Sequence, residues 1–232
     1  MREIVFDTET TGLNPATGDR MVEIGCVEIY NRVETGRHFH AYFNPDRDMP
    51  FEAEAVHGLS SIFLSDKPRF SEKVEELLDF LEDAPLVAHN AGFDFGFLNF
   101  ELEKCGRAAV CMSRMRDTLQ LARTKHPGAK HSLDALCVRF GIDRSHRVKH
   151  GALLDAQLLA QVYVELTGGR QIGLGLVADA GSVSVAASSK PVVVREPRPA
   201  RPHFAAEEEL ARHRAFISQL ANPLWAQFAT AG

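Results

Sequence analysis

The sequence predicts an α/β domain whose mixed sheet carries helices on both faces. Near its start, β-rich runs follow one another with no helix between them, which predicts an antiparallel meander. Further along, short apolar runs alternate with segments of helical periodicity, as in parallel strands joined by helices. This alternation ends after Gly169, so we expect the folded domain to end near residue 170.

The composition favours a cytoplasmic globular protein. Of 232 residues, 45% are hydrophobic and 25% are charged, with a net charge of −5, which is ordinary for a domain with one core. The four cysteines stand singly, without a C-x-x-C pair, which argues against disulfides and cysteine zinc sites. The start of the chain is unlike a signal peptide, and no apolar run has the length of a membrane span.

The first strands are defined by β-branched and aromatic runs. Glu3–Asp7 is the first strand and ends in the polar segment Thr8–Gly12. Two further strands, Met21–Tyr30 and Arg37–Phe43, are joined by a turn over Asn31–Gly36. We expect these three strands to form the meander.

The remaining elements alternate. Phe51–Leu64 reads as short helix and loop, and Ser71 is a plausible N-cap for the next helix. Leu86–Asn90 is a short buried strand, and Met112–Thr118 is a candidate edge strand. The further helices are expected over Phe93–Lys104, Leu119–Lys125, Ser132–Phe140 and from Ala152 to Gly168.

The amino-acid composition changes after this domain. Residues 179–203 are rich in Ala, Ser, Val and Pro, which is typical of an extended or disordered linker. Helical spacing returns over residues 205–221 and is followed by Trp225. A short isolated helix cannot form its own core. We therefore expect a domain over 1–170, a flexible linker over 177–204 and a helical tail over 205–232. This tail either packs back onto the first domain or, as we favour, docks on a partner.

The stretch from His150 to Asp155 places a titratable ring before a helix and a carboxylate in its first turn. Asp155 shares helical spacing with Leu158, Leu159 and Val162, so its side chain should face the core. A buried carboxylate is costly without a positive partner, and no Lys or Arg stands at helical spacing nearby. An acid favoured by the helix dipole explains the position but not the inward face. A bound metal ion is the more specific interpretation, because it would supply the positive charge that the buried carboxylate needs.

Three more acids stand at comparable places. Asp7 ends the first strand and Glu9 follows it; both point to the same side, with Thr8 on the other. Neighbouring carboxylates raise each other's pKa, so the pair favours a cation. Asp94 lies in the first turn of the helix after the strand Leu86–Asn90. Surface acidic pairs and helix-start acids are common, but strand ends are where α/β sheets build their sites.

Taken together, these groups predict a metal-dependent nuclease. Four carboxylates with one histidine suit Mg²⁺ or Mn²⁺ rather than structural zinc. Two such ions about 3.5–4 Å apart can hold the attacking and leaving oxygens of a phosphoryl displacement. A histidine with an ordinary pKa of ~6.5 suits proton removal from water. The predicted residues are Asp7, Glu9, Asp94, Asp155 and His150.

Basic charge is concentrated ahead of His150. Residues 114–149 are rich in Lys and Arg, and their acidic residues are Asp117, Asp134 and Asp143. Such a segment suits contact with a phosphate backbone. On charge alone, however, a solvated charged face is the favoured explanation.

These residues stand in motifs of a known family. Asp7-Thr8-Glu9, the segment His89–Asp94 and the H-x-A-x-x-D pattern starting at His150 resemble the DEDD-type 3′→5′ exonucleases of the histidine subclass. The longer runs DTETTGLNP, HNAGFDFGFLNFELE, HSLDALC and HGALLDAQLLAQVY are similar to proofreading exonucleases of this family. The resemblance covers residues 1–170. It implies a ribonuclease H-like fold with a five-stranded mixed sheet.

The resemblance also implies individual roles. Asp7 would bridge both metals, and Glu9 and Asp155 would complete the site of the water-binding ion. Asp94 would serve the second ion, and His150 would be the general base. The nucleotide-binding residues implied are Thr10, Leu13, Val56, His57, Asn90 and Phe93. An apolar residue among them is equally typical of core, and His57 is equally typical of loop packing.

The resemblance also implies binding partners for the residues that follow the domain. Gln171–Leu176 resembles the Q-x-x-L-x-L peptide by which replication proteins bind the sliding clamp, although the glycines beside Leu174 suggest weak binding. In this family the tail after the linker binds the polymerase alpha subunit. For residues 205–232 that role rests on position alone.

The sequence therefore favours a proofreading DNA exonuclease that removes a 3′-terminal nucleotide from single-stranded or frayed DNA. An RNA-trimming exonuclease shares the core motifs, but such enzymes seldom need a clamp peptide and a long tail. A non-catalytic scaffold would be favoured by loss of a metal acid or of the histidine, and all five residues are present.

Overall fold

One mixed sheet forms the centre of the domain, in a computed structural model that describes residues 1–147, 149–169 and 204–221. Its strands are β1 (Arg2–Thr10), β2 (Met21–Tyr30), β3 (Val33–Tyr42), β4 (Leu86–Ala88) and β5 (Met115–Asp117). They lie in the order β3-β2-β1-β4-β5. β1 is antiparallel to β2 and parallel to β4, β3 is antiparallel to β2, and β5 is parallel to β4. The expected five-stranded mixed sheet is confirmed.

Helices cover both faces of this sheet. They are α1 (Phe51–His57), α2 (Ser61–Leu64), α3 (Phe70–Leu81), α4 (Gly92–Lys104), α5 (Thr118–Lys125), α6 (Leu133–Phe140), α7 (Ala152–Leu166) and α8 (Glu207–Ile217). α3 and α4 pack on the face that carries Ile4 and Phe6. α7 packs on the opposite face, which carries Val5, and α5 and α6 contribute to a cluster with α7. The central strand β1 is therefore buried on both sides.

The β2–β3 hairpin is tighter than the sequence indicated. β3 begins at Val33 rather than Arg37, because the connection is a two-residue turn in which Asn31 and Arg32 have φ values of 50° and 68°. Such left-handed turns match the twist of a hairpin. Residues 33–38 are exposed, so the start of β3 shows no apolar alternation in the sequence.

Two helix starts also differ from expectation. α3 begins at Phe70, whose side chain is buried, and Ser71 lies inside the first turn rather than capping it. The carboxylate of Glu72 instead accepts the backbone N–H of Arg69 at 2.8 Å. The edge strand is shorter than Met112–Thr118, because Asp117 caps α5 and accepts the backbone N–H of Leu119 at 2.8 Å.

The helical tail belongs to a separate unit of the chain. α8 lies in this unit and confirms helix within the expected stretch 205–221. The clamp-like peptide Gln171–Leu176, the linker up to residue 203 and Trp225 lie outside the described residues. None of the helices in the described ranges is long and apolar enough to cross a membrane.

Gly25 lets α7 approach the sheet closely. A Cβ at this position would stand 2.3 Å from the Cα of Leu153, well inside van der Waals contact. Gly25 lies opposite Asp7 in the β1–β2 register. The first turn of α7 is thereby seated next to the acidic end of β1.

We expect Gly25→Ala to lower the free energy of unfolding by about 2–3 kcal/mol, because the added methyl meets backbone that cannot rotate away. Urea unfolding followed by circular dichroism measures this. The matched control is Gly96→Ala, since Gly96 is exposed on α4 and an added Cβ has no neighbour within 4 Å. That control should raise stability slightly, through helix propensity. Equal midpoints for Gly25→Ala and the unchanged protein would contradict the packing argument.

Candidate active site

β1 delivers two carboxylates to the same side of the sheet. Val5 packs among residues of α7, and because side chains alternate along a strand, Asp7 and Glu9 point to that side as well. Glu9 is 8% exposed and Asp7 is partly buried. Thr8 faces the other way, as expected.

Asp94 reaches the same end of β1 from the opposite face. It lies in the first turn of α4 and is 3% exposed. Its Oδ1 accepts a hydrogen bond from the hydroxyl of Thr8 at 2.7 Å. The first turn of α4, the helix that follows β4, is thus hydrogen-bonded to the strand that carries Asp7 and Glu9.

α7 supplies Asp155, and the loop before it supplies His150. Asp155 is 2% exposed, which confirms that it faces inward. The His150 Nδ1 lies 3.3 Å from Asp155 Oδ2, while the ring remains about half exposed. One ligand atom from each of Glu9, His150 and Asp155 lies within 4.8 Å of the others. Residues far apart in the chain therefore meet at one place.

The carboxylates repel one another. Burial, followed by the charges of Asp94, Glu9 and Asp155, raises the pKa of Asp7 well above its usual value. Burial together with the charge of Glu23 raises the pKa of Glu9 to about 8. Burial raises the pKa of Asp94 to about 7, although the Thr8 hydrogen bond opposes this. The ionised forms of these groups are all disfavoured in the absence of a cation.

The site suits a divalent cation. Glu9 Oε1 is buried and has no hydrogen-bond partner among the described residues, and a buried acceptor without a partner is unfavourable. The oxygen-rich donor set is the type that Mg²⁺ and Mn²⁺ prefer. A cation would satisfy the orphan oxygen and relieve the repulsion that raises these pKa values.

Arg147 is a site residue that the sequence argument missed. Its Nε donates to Asp155 Oδ1 at 2.5 Å and its Nη2 to Oδ2 at 2.7 Å. Burial raises the pKa of Asp155, but the hydrogen bonds from Arg147 and His150 bring it below the usual value. Helical spacing around Asp155 offers no Lys or Arg as a partner. Arg147 comes from the preceding loop, where no periodicity marks it.

Glu23 is a second missed residue. It stands opposite Glu9 in the β1–β2 register, is 3% exposed, and its Oε1 lies 2.7 Å from the Nε2 of His40. In the sequence, the sign of this residue is a glutamate inside the apolar run of β2. Its meaning depends on the strand register, which places it beside the acidic cluster.

A pocket of about 440 Å³ lies next to the carboxylates. Of the expected nucleotide-binding residues, those that line it are Thr10, Leu13, Val56, His57 and Phe93. Leu13 is 84% exposed and Val56 is 49% exposed, so neither is core. Asn90 is not part of its lining; it is exposed at the end of β4, with a left-handed φ of 63°.

His57 has both a structural place and a place in this pocket. Its Nδ1 accepts the backbone N–H of Leu59 at 3.0 Å, which stabilises the turn after α1. Burial lowers the pKa of His57, and the backbone of Thr10 opposes this shift. The ring is therefore held neutral at the pocket wall. The loop-packing explanation and the binding explanation are both compatible with this position.

Comparisons with known proteins agree with this architecture. The sequence profile of the exonuclease family matches residues 4–163. The DNA polymerase III subunit epsilon of Rickettsia felis is 46% identical over 230 residues, covering 95% of this chain and 97% of the relative. The subunit of the same name from Escherichia coli (strain K12) is 42% identical over 221 residues, covering 92% and 91%.

Solved structures show the same fold. Exonuclease X, in a complex with 5′ overhanging duplex DNA, is 25% identical with a TM-score of 0.56, and the match covers 71% of this chain and 90% of that one. The nuclease domain of 3′hExo, a DEDDh family member bound to rAMP, is 16% identical with a TM-score of 0.62, covering 72% and 91%. This second likeness concerns the fold alone.

Enzymes with this fold depend on divalent metal ions, in agreement with the acidic cluster. The family profile matches most of the chain, and the relatives above are 42% and 46% identical over nearly all of it. The chain therefore belongs to the exonuclease family, in the group that contains the epsilon subunits of DNA polymerase III.

Proposed function

We propose that this protein is the proofreading 3′→5′ exonuclease subunit of a bacterial DNA polymerase III and hydrolyses the terminal phosphodiester of a DNA strand. The observation that carries this proposal is the meeting of Glu9, His150 and Asp155 within 4.8 Å, beside Asp7 and Asp94. The names of the relatives support the choice of polymerase.

The acidic cluster is proposed to hold two divalent ions, Mg²⁺ or Mn²⁺. Asp7 is central, because Glu9, Asp94 and Asp155 all raise its pKa, and it is the residue suited to bridge both ions. Glu9 and Asp155 would help to hold one ion, and Asp94 would help to hold the other. When bound, the ions supply Lewis-acid stabilisation of the attacking and leaving oxygens.

His150 is proposed to take a proton from the attacking water. Its ring is about half exposed and stands next to Asp155, so it is open to solvent at the edge of the cluster. The backbone N–H of His150 donates to the carbonyl of Val56 at 3.3 Å. This bond fixes the loop that carries the base against α1, which lines the neighbouring pocket.

The 440 Å³ pocket is proposed to receive the 3′-terminal nucleotide. Exposed Leu13 and Val56 offer apolar surface for a base, and Thr10, His57 and Phe93 complete the wall. Apolar contact with the face of a base carries little information about base identity, because every base has such a face. Selectivity for errors would come instead from the energy of unpairing the end, which is lower at a mismatch.

Residues behind the domain are proposed to bind partners. The relatives cover nearly the whole chain, including the tail, and this supports binding of the alpha subunit by residues 205–232. The only described helix of the tail, α8, leaves Leu210 and Phe216 exposed, as expected for a segment that packs on another protein. Gln171–Leu176 is proposed to bind the sliding clamp weakly. A cytoplasmic location follows from this role.

The alternative is an RNA-trimming exonuclease of the same superfamily. The fold favours neither substrate, because the 3′hExo domain of the same fold was solved with rAMP. Cleavage rates on DNA and RNA oligonucleotides of matched sequence distinguish the two. Faster cleavage of RNA would overturn the proposed function.

Asp7→Ala should reduce cleavage by about a thousandfold or more, because several kcal/mol of transition-state stabilisation depend on the ions. The same change should raise the thermal midpoint of the metal-free protein, since it removes a carboxylate that its neighbours repel. A 3′-end-labelled mismatched primer with Mg²⁺ measures activity, and calorimetry in EDTA measures stability. Asp79→Ala, on the exposed side of α3, is the control and should change neither. Inactivity of the unchanged protein with both Mg²⁺ and Mn²⁺ would refute the proposal.

Metal-free protein should lose stability as the pH rises from about 5.5 to about 8.5. The pKa of Glu9 is raised to about 8 and that of Asp94 to about 7, so the folded state keeps protons that the unfolded chain has released. The folded state is therefore disfavoured as pH rises through these values, by about 2 kcal/mol or more. The lowered pKa of Asp155 acts only at more acidic pH. Urea unfolding in EDTA measures the loss, and saturating Mg²⁺ should flatten it. A metal-free stability that stays level or rises over this range would show that burial and the neighbouring charges do not raise the pKa values of Glu9 and Asp94.

A chain of residues 1–169 should cleave the labelled primer at a rate similar to the full chain, because all described site residues lie within it. It should fail to copurify with the alpha subunit, which the full chain retains. Size-exclusion chromatography of each chain mixed with the alpha subunit separates the two results. Retention of the shortened chain would remove the polymerase-binding role from the tail.

A further inference from the structure

Arg147 occupies both oxygens of a proposed metal ligand. Its side chain is 9% exposed, and its Nε and Nη2 donate to the two oxygens of Asp155 at 2.5 and 2.7 Å. A planar guanidinium that meets a carboxylate with two parallel bonds forms one of the strongest ion pairs in proteins. Asp155 is therefore already neutralised by a side chain of the protein itself.

The same guanidinium contacts two other groups. Its Nη1 donates to Asp134 Oδ1 at 3.0 Å, and its Nη2 lies 2.9 Å from the Nδ1 of His150. Asp134 also accepts from Arg144 at 2.8 Å. Arg147 thus joins the loop before α7, the first turn of α6, the proposed base and a proposed metal ligand.

We propose that Arg147 is a positioning residue that acts as the resident cation of the site: it neutralises Asp155 while no divalent ion is bound, and it competes with that ion for the carboxylate. The inference rests on the metal site proposed above. A divalent ion needs lone pairs of Asp155 that Arg147 already uses, and like charges repel strongly at the edge of a protein interior.

The contact has two opposite effects. It keeps Asp155 and His150 in place in the metal-free protein, since an unpaired buried carboxylate is strongly destabilising. It also weakens the binding of the divalent ion, because the ion must first displace Arg147 from Asp155. Asp134 lies within reach as a second anion for the guanidinium, so Arg147 retains a partner when its hold on Asp155 is lost.

The test is Mn²⁺ binding to the full-length chain without DNA, measured from the electron paramagnetic resonance signal of free Mn²⁺. Arg147→Gln should bind Mn²⁺ about tenfold more tightly than the unchanged protein. Its metal-free thermal midpoint should fall by about 5–10 °C, and saturating Mn²⁺ should recover most of that loss. Unchanged or weaker Mn²⁺ binding, or an equal loss of stability with and without Mn²⁺, would overturn the assignment.

Arg144→Gln is the matched control. Arg144 is on the same loop and contacts the same Asp134, and no hydrogen bond joins it to Asp155 among the described residues. It should leave the Mn²⁺ affinity unchanged. If Arg144→Gln tightens binding as much as Arg147→Gln, the effect is one of general charge and the assignment fails.

If Arg147→Gln does not fold without metal, Arg147→Lys provides the test. Lysine retains the charge but cannot form the paired bonds, so Mn²⁺ should bind about threefold more tightly than to the unchanged protein. Binding no tighter than in the unchanged protein overturns the assignment. An unchanged protein that binds no Mn²⁺ at all would instead refute the metal site, which separates the two failures.

Discussion

Repulsion among the carboxylates at the end of β1 is opposed by the packing of the helices that carry them. Burial raises the pKa of Asp7, and the charges of Asp94, Glu9 and Asp155 raise it further. An arrangement of this kind costs folding free energy in the absence of a cation. The large apolar clusters on both faces of the sheet offset that cost. The domain is therefore stable enough to hold a set of side chains that would separate if they were free to do so.

The two faces of the sheet contribute to the site in different ways. α4 is tied to β1 by the Thr8–Asp94 hydrogen bond, whereas α7 is brought close by the absence of a side chain at Gly25. A second buried contact supports the first arrangement: Glu101 of α4 accepts two hydrogen bonds from Arg20, at 2.7 and 2.8 Å. Because the helices are fixed by such contacts, the carboxylates are positioned before any ligand arrives, which is the condition for effective electrostatic catalysis.

Sequence patterns predicted what depends on local order and missed what depends on register or on irregular loops. The inward face of Asp155 followed from helical spacing, and the shared side of Asp7 and Glu9 followed from strand alternation. The start of β3 was placed too late, because exposed polar residues beyond a two-residue turn show no periodicity. Glu23 needed the β1–β2 register to acquire its meaning. Arg147 approaches Asp155 from a loop, and its contact is a property of the tertiary fold.

His150 and the pocket share one structural support, the helix α1. The backbone bond from His150 to Val56 joins the loop before α7 to the last turn of α1, and that turn also places His57 at the pocket wall. Lys149 lies over Gly58 in the same region, where a Cβ on the glycine would stand 2.7 Å from the lysine side chain. The pocket is lined by α1, the helix to which the loop of His150 is hydrogen-bonded. Under the proposed function, the seat of the terminal nucleotide and the loop of His150 would therefore share α1 as a support.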